Sequence, residues 1–231
     1  MNIYAITPTG NRPEGLALLA EYLNAQTYAG PLTWIIVDDC LPLTGSPNTR
    51  EGIQVRRIFP RWTWAPGQNT QASCMDRALD EVPDDAVLFV LEDDDILLPG
   101  YIETMLDALG DNDLIGERDS RYYNVATRRW RTLPGTTHAS MASTVCRGDA
   151  LELLRKICSS GASRGLDVTL WQRFKGGKRL LDTQNVVGIK GLPGRPGIGV
   201  GHRARFGVPD TGDKLREWAG DYADNYAIFR E

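Results

Sequence analysis

Between Asn2 and Leu109 the chain alternates short β-rich runs with helical patterns, and that alternation leaves few folds open. The strand Asn2–Ile6 (NIYAI) is followed, after Pro13, by Leu16, Leu19, Ala20 and Leu23 at helical spacing. Thr33–Val37, Ile53–Ile58 and Ala86–Leu91 read as three more strands. Ala72, Met75, Leu79 and Val82 mark a helix before the last of them, and Ile102, Met105, Leu106 and Leu109 mark another after Pro99-Gly100. Strands that alternate with helices give a mainly parallel sheet covered on both faces. The 231 residues, 42% of them hydrophobic, suffice to bury its core.

The second half is less regular. Tyr122–Leu133 reads as a hairpin or exposed extended segment, Met141–Cys146 as a strand, Ala150–Cys158 as a helix, Asp167–Phe174 as a short helix and Asn185–Lys190 as a strand. Residues 191–207, GLPGRPGIGVGHRARFG, carry too much glycine and proline for regular structure over much of their length. They form either a linker or a loop that closes over a site, as long structureless loops in compact domains often do. No internal repeat is visible.

Charge divides the chain unevenly. Residues 1–115 hold 6 Lys and Arg against 18 Asp and Glu, whereas residues 116–231 hold 20 against 12. Such asymmetry suggests different partners for the two halves. No uncharged apolar run approaches the roughly 20 residues that span a bilayer, and the N-terminus has no basic segment followed by a long apolar one, so a cytoplasmic location is expected. Four cysteines without CxxC spacing indicate neither a zinc site nor a disulfide framework.

The sharpest local feature is LFVLEDDDILLPGY, residues 88–101, where a strand runs into Glu92, Asp93, Asp94 and Asp95. In an open parallel sheet, ligands bind beyond the carboxyl ends of the strands, which is where these carboxylates fall. Two carboxylates about 4 Å apart repel by roughly 4 kcal/mol at intermediate dielectric, and a divalent hard cation turns that repulsion into binding. An EF-hand loop is excluded by the ILLPG that follows. Capping of the next segment by Asp94 or Asp95, or a plain acidic loop, are the alternatives.

Together these pieces resemble the GT-A fold glycosyltransferases, in particular the large inverting family that uses nucleotide-diphosphate sugars. ITPTGNRPEGLALLAEYLNAQTY…WIIVDD is similar to that family's opening strand, polar turn, helix and second strand ending in two aspartates, and VLFVLEDDDILLPGYIE to its strand, DxD motif and Pro-containing turn. The resemblance is fullest from Ile3 to about Leu109 and thinner to about His202. It implies a Rossmann-like, mainly parallel α/β sheet flanked by helices with a smaller, irregular acceptor-side C-terminal part. It further implies one domain over residues 1–231, with a nucleotide-sugar-binding half at 1–115 and an acceptor-binding half with a C-terminal loop at 116–231.

The resemblance also assigns roles. Thr7, Pro8, Asn11 and Arg12 would line the nucleotide base pocket, Asp38 and Asp39 would contact base or ribose, and Gly67, Asn69 and Arg77 would lie near the nucleotide. Glu92 stands where the family has its first aspartate, which leaves Asp94 as the direct ligand of Mn2+ or Mg2+ and Glu92 and Asp93 for ribose or water contacts. His202 would complete the metal shell. Asp167, at the start of the short helix, is either the general base or a helix cap. The implied reaction is metal-dependent hexosyl transfer with inversion, a UDP-sugar being the favoured donor.

For the acceptor, the arginines around Tyr122, Tyr123 and Trp130 suggest a polyanion, with Arg128, Arg129, Trp130, Arg131 and His138 as contacts. Enzymes resembling this family glucosylate hydroxymethylated DNA in phages, and a glycan or lipid-linked sugar satisfies the same charge pattern. Two other classes stay open. A sugar-nucleotide nucleotidyltransferase would share the sheet and the metal but lacks its Gly-rich opening here, and a non-catalytic nucleic-acid-binding module leaves the four carboxylates unexplained.

Overall fold

The computed structural model describes residues 1–40, 46–62, 64–161, 164–195, 197, 200–203 and 205–229. In chain order the elements are β1 (Asn2–Thr9), α1 (Pro13–Asn24), β2 (Leu32–Asp38), β3 (Ile53–Ile58), α2 (Gln71–Leu79), β4 (Ala86–Val90), β5 (Asp95–Leu97), α3 (Tyr101–Leu109) and β6 (Leu114–Glu117). There follow β7 (Ser120–Asn124), β8 (Arg129–Leu133), β9 (Thr144–Cys146), α4 (Gly148–Ser159), α5 (Leu166–Arg173), β10 (Lys178–Leu181), β11 (Val186–Lys190), β12 (Val208–Pro209) and α6 (Lys214–Ala219), and a 3-10 helix over Gly220–Phe229.

The central sheet has seven strands in the order β10-β6-β9-β4-β1-β2-β3. All its pairings are parallel except those of β9, which runs antiparallel between β4 and β6. Every residue of β4 is buried, because helices or the second sheet cover both faces. The period of two sends Ile3, Ala5, Trp34, Ile36 and Phe89 into one apolar layer with α1, α3 and the second sheet. Ile6, Ile35, Val37, Leu88 and Val90 enter the opposite layer with α2, α4 and α5. Emptying a fully buried position such as Phe89 to alanine is expected to cost about 3–5 kcal/mol.

Helix α1 starts with Pro13 in its first turn, where no intrahelical N–H is needed, and Glu14 there complements the helix dipole. Its third residue is Gly15, and a Cβ there would lie 2.5 Å from the carbonyl oxygen of Asp93. The absence of a side chain lets the helix press directly on the acidic turn.

The second sheet has the order β12-β8-β7-β11-β5. Its β7 and β8 form the hairpin expected over Tyr122–Leu133. The stretch Met141–Cys146 differs from its reading as one strand: Met141–Ser143 is a 3-10 turn, held by bonds from Ser143 N and Thr144 Oγ1 to Ser140 O, and only Thr144–Cys146 pairs. Strands β5, β6 and β10, of three or four residues each, were not legible as separate elements. Within residues 191–207 the described regular structure is a 3-10 turn at Val200–His202; residues 196, 198, 199 and 204 lie outside the described residues.

Candidate functional site

Parallel pairing aligns Thr9 with Asp38 and Ile6 with Val90, so β1, β2 and β4 all end on one edge of the sheet. That edge carries Pro8-Thr9-Gly10, Asp38-Asp39 and the turn Glu92–Asp95. They border a cleft of about 630 Å³ whose far wall comes from Tyr122, Leu133, Lys190 and Phe206.

The acidic turn is held by cations from distant parts of the chain. Arg12 Nη1 lies 2.7 Å from Asp93 Oδ1 and 3.3 Å from Asp94 Oδ2. Burial alone would lower the Arg12 pKa, but Asp93, Asp94 and Glu92 outweigh it and raise it above the usual value. Lys190 Nζ lies 3.0 Å from Asp94 Oδ1, 3.6 Å from Glu92 Oε2 and 3.7 Å from Asp95 Oδ1. Thr9 Oγ1 donates to Asp93 Oδ2, and Gln71 Nε2 donates to Glu92 Oε1 at 2.9 Å.

The four carboxylates separate electrostatically. Burial raises Asp93 to about 6 and pushes Glu92 and Asp95 up, Asp95 strongly. Asp94 is the exception: burial opposes ionisation there too, yet Lys190, Arg12 and His202 overcome it and hold the carboxyl below its ordinary value. His202 Nε2 stands 3.9 Å from Asp94 Oδ2. Burial, reinforced by Lys190, lowers its imidazole to about 4, so it is neutral at physiological pH with a lone pair to offer.

These groups suit a divalent cation. An ionised carboxylate oxygen and a neutral imidazole nitrogen 3.9 Å apart can share one ion through bonds of about 2.1 Å. Carboxylate atoms of Glu92, Asp94 and Asp95 also lie within 4.8 Å of one another. Carboxyl groups outnumber the full cations at this turn, and those that are ionised repel a diphosphate unless a further cation intervenes.

A second cluster occupies the β2 end. Asp38 Oδ1 accepts the N–H of Cys40 at 3.0 Å, and burial raises this carboxyl despite that bond and one from the Asn11 backbone. Asp39 Oδ1 pairs with Arg195 Nη1 at 2.6 Å, while Thr70 Oγ1 donates to Asp39 Oδ2. The Arg195 guanidinium lies 4.9 Å from the Trp64 ring centroid, and Arg12 Nε and Nη2 donate to the Arg195 carbonyl at 3.0 and 2.8 Å. Asn11 takes a left-handed backbone, φ 56°, which asparagine tolerates.

The expected site residues thus fall into groups. Pro8, Arg12, Asp39, Gly67, Asn69, Glu92, Asp93, Asp94 and His202 line the cleft together. Thr7 does not: it is fully buried, and its Oγ1 accepts the Trp34 indole N–H at 2.8 Å. Arg77 turns away from the cleft to Glu81 and Asp80, at 3.1 and 3.4 Å. Asp167 lies half-buried in the first turn of α5, where its carboxylate accepts the Val168 N–H at 2.8 Å; it is not among the cleft-lining residues.

The arginine hairpin also differs from a free acceptor surface. Arg129 Nε and Nη2 donate to the carbonyls of Phe206 and Gly207 at 3.1 and 2.6 Å, and Arg131 lies over the Phe206 ring at 5.9 Å. Trp130 packs edge-on against Trp218, with Lys214 Nζ 4.8 Å from its centroid. Arg128 is exposed with φ 50°, and His138, half-buried, meets Thr137 Oγ1 at 3.3 Å. The residues that sequence reasoning missed are Thr9, Trp64, Lys190 and Arg195. Only Lys190 left a signal, as the single cation at the end of the strand VVGIK.

No protein-family model matches the sequence, and no characterised protein matches it by sequence. The structure is similar to the crystal structure of S. aureus TarS 1–349 in complex with UDP-GlcNAc, at TM-score 0.57 and 12% identity, over 82% of this chain and 59% of that one. It is similar also to the crystal structure of S. aureus TarS 1–349, at TM-score 0.51 and 13% identity, over 82% of this chain and 60% of that one. The chain therefore spans less than two thirds of the structures it matches. TarS is a GT-A type glycosyltransferase, and the fold of the present chain is of that type, a mainly parallel central sheet flanked by helices.

Proposed function

We propose that the protein is a metal-dependent, inverting glycosyltransferase that takes a hexose from a nucleotide-diphosphate donor, with a UDP-sugar favoured. The observation that carries this reading is the approach of His202 to Asp94, 3.9 Å apart although 108 positions separate them in sequence, at the carboxyl edge of a GT-A sheet. UDP-GlcNAc in the similar TarS structure supports the choice of donor.

In this reading Asp39, Asn69 and Gly67, which line the cleft, meet the nucleoside, and Asp38 and Asn11 support them. Arg12 holds Asp93 and Asp94 in position. Bound to Asp94 and His202, Mn2+ or Mg2+ would offset the charge that develops on the leaving diphosphate. The acceptor oxygen forms its bond to the anomeric carbon as the bond to the diphosphate breaks, and the hydroxyl proton passes to Asp167 where the acceptor extends from the cleft to the first turn of α5. One displacement from the opposite face inverts the anomeric centre.

A glycan acceptor is better supported than DNA or another polyanion. Tyr122, Leu133 and Phe206 give the far wall an aromatic and apolar surface on which a sugar ring can stack, while Arg129 and Arg131 are engaged with Phe206 and Gly207. Residues 1–231 act as one unit in this reading, with the 116–231 half contributing Lys190, Arg195 and His202 to the donor side. Four free cysteines accord with a cytoplasmic location.

The test is transfer from a panel of nucleotide sugars with manganese, using glycans and hydroxymethylated DNA as acceptors. Asp94→Ala should abolish transfer and manganese binding while leaving the circular dichroism spectrum intact; full activity in that variant would sink the assignment.

A further inference from the structure

We propose that Lys190 is the resident counter-cation of the Glu92–Asp95 turn, and that it confines divalent-ion binding to one ion on the face of Asp94 that looks toward His202. The second part rests on the glycosyltransferase reading; the first stands on the contacts of Lys190 alone.

The position of Lys190 follows from strand pairing. β11 runs antiparallel to β5 with Gly188 opposite Asp95, and Ile189 N donates to Asp94 O at 2.8 Å. The next residue therefore projects over the acidic turn. Its ammonium has three N–H donors and three carboxylate neighbours, Asp94 at 3.0 Å, Glu92 at 3.6 Å and Asp95 at 3.7 Å. The Tyr122 ring flanks it, 5.6 Å from Nζ to centroid. The stem is packed as closely as the head: a Cβ at Gly201 would lie 2.9 Å from Lys190 Cγ. A buried ammonium so enclosed is part of the architecture.

This arrangement divides the two oxygens of Asp94. Oδ1 belongs to Lys190, whereas Oδ2 faces Arg12 Nη1 at 3.3 Å and His202 Nε2 at 3.9 Å. The triad Glu92, Asp94 and Asp95 has the spacing to hold an ion of its own, but the fixed positive charge among its oxygens already fills that role. An ion entering there would meet an ammonium at contact distance. Arg12 borders the Oδ2 side as well, but at 3.3 Å against the 3.0 Å of Lys190 on Oδ1, and there the carboxylate oxygen is joined by an imidazole nitrogen.

The experiment is thermal unfolding of the full chain in chelator, without nucleotide or acceptor, beside calorimetric titration with manganese. Removing one partner of a buried ionic cluster strands the others, so Lys190→Met should lower the unfolding midpoint by roughly 6–20 °C in chelator. Millimolar manganese should restore part of that loss, as should Asp95→Asn placed in the same chain. The wild type should melt at the same temperature with and without chelator. Lys190→Met should also bind manganese at least tenfold more tightly than the wild type, because the triad becomes open to an ion.

An unchanged midpoint for Lys190→Met in chelator would overturn the counter-cation; this is also what a lysine serving only to hold donor phosphate would give. Manganese affinity equal to or weaker than that of the wild type would overturn the confinement. If Lys190→Met does not fold in chelator, the Lys190→Met/Asp95→Asn chain decides, and its failure to fold both with and without manganese counts against the proposal. A protein that shows this stability pattern and transfers no sugar would refute the proposed function and leave the Lys190 assignment standing.

Discussion

Arg195 and Asp39 form an ion pair of 2.6 Å in which the guanidinium also lies 4.9 Å from the Trp64 ring, so a side chain from the glycine-rich segment covers the carboxylate at the end of β2. Any nucleoside that reaches Asp39 must first open this pair. Arg195→Met leaves Asp39 buried with one fewer partner, an expected loss of about 2–4 kcal/mol. A nucleoside diphosphate should then raise the unfolding midpoint by more in the variant than in the wild type, since it no longer displaces an arginine. Differential scanning fluorimetry checks both, and a wild-type midpoint in the variant would mean that the pair does not form in solution.

Asp167→Asn keeps the shape of the side chain and its bond from the Val168 N–H while removing its basicity. The expected result is unchanged donor binding with transfer slowed about 10²–10⁴-fold. Near-normal turnover would assign Asp167 to the helix end alone.

Gly15→Ala is a substitution whose sign separates helix propensity from packing. In an exposed helix interior the change would stabilise by about 1 kcal/mol. Here the new methyl would meet the Asp93 carbonyl at 2.5 Å, so a destabilisation of about 1–3 kcal/mol is expected, together with weaker metal binding as the acidic turn shifts. Chemical denaturation with manganese titration reads the two effects.

Arg129→Met should loosen the Phe206–Gly207 turn against β8, because two guanidinium bonds to those carbonyls are lost while the Arg131–Phe206 contact and the β12–β8 pairing remain. With Phe206 on the cleft wall, KM for acceptor should rise several-fold while donor affinity stays constant. Steady-state kinetics with each substrate varied in turn distinguishes this from a general loss of fold.

At alkaline pH the buried phenols set the limit of stability. Tyr22 donates to Tyr226 Oη at 3.0 Å; burial raises Tyr22 to about 12 and Tyr226 well above the usual value. A phenol raised in the folded state retains its proton there while the unfolded chain loses its own near pH 10. The stabilisation is therefore complete below about pH 10 and is lost as pH rises toward 12, at roughly 1.4 kcal/mol per pH unit for each such group. Phenolate absorbance and helical circular dichroism should change together; phenolate formation in a chain that stays folded would contradict this.

The strands β1 to β4 were readable because each is a run of β-formers between turn residues, and the parallel-sheet rule together with the resemblance then pointed to Pro8, Asp39 and Asp94 before any contact was known. The cations that complete the site were not readable. Lys190 acts through β5, a strand of three residues that contains the last aspartate of the acidic run and gives no periodic signal. Arg195 sits in a stretch whose glycine and proline hide its path, so its pairing with Asp39 left no sequence signal, whereas His202 in the same stretch was legible through the resemblance alone. Arg129 and Arg131 misled for the opposite reason: a run of arginines among aromatics looks alike whether it faces solvent or clasps the backbone of a later segment.

The late position of Lys190, in a strand that pairs with β5 across almost a hundred residues, has a consequence for how the chain comes to be folded. Throughout synthesis, the acidic turn leaves the ribosome well before the residue that neutralises its centre, and β9, which joins β4 to β6, also arrives after both of its neighbours. Closure of such distant pairings is slow, so the first half waits in an open, highly anionic state. Self-repulsion in that interval is expected to keep the exposed β-strands of neighbouring nascent chains apart until the last third of the polypeptide arrives to close the sheet.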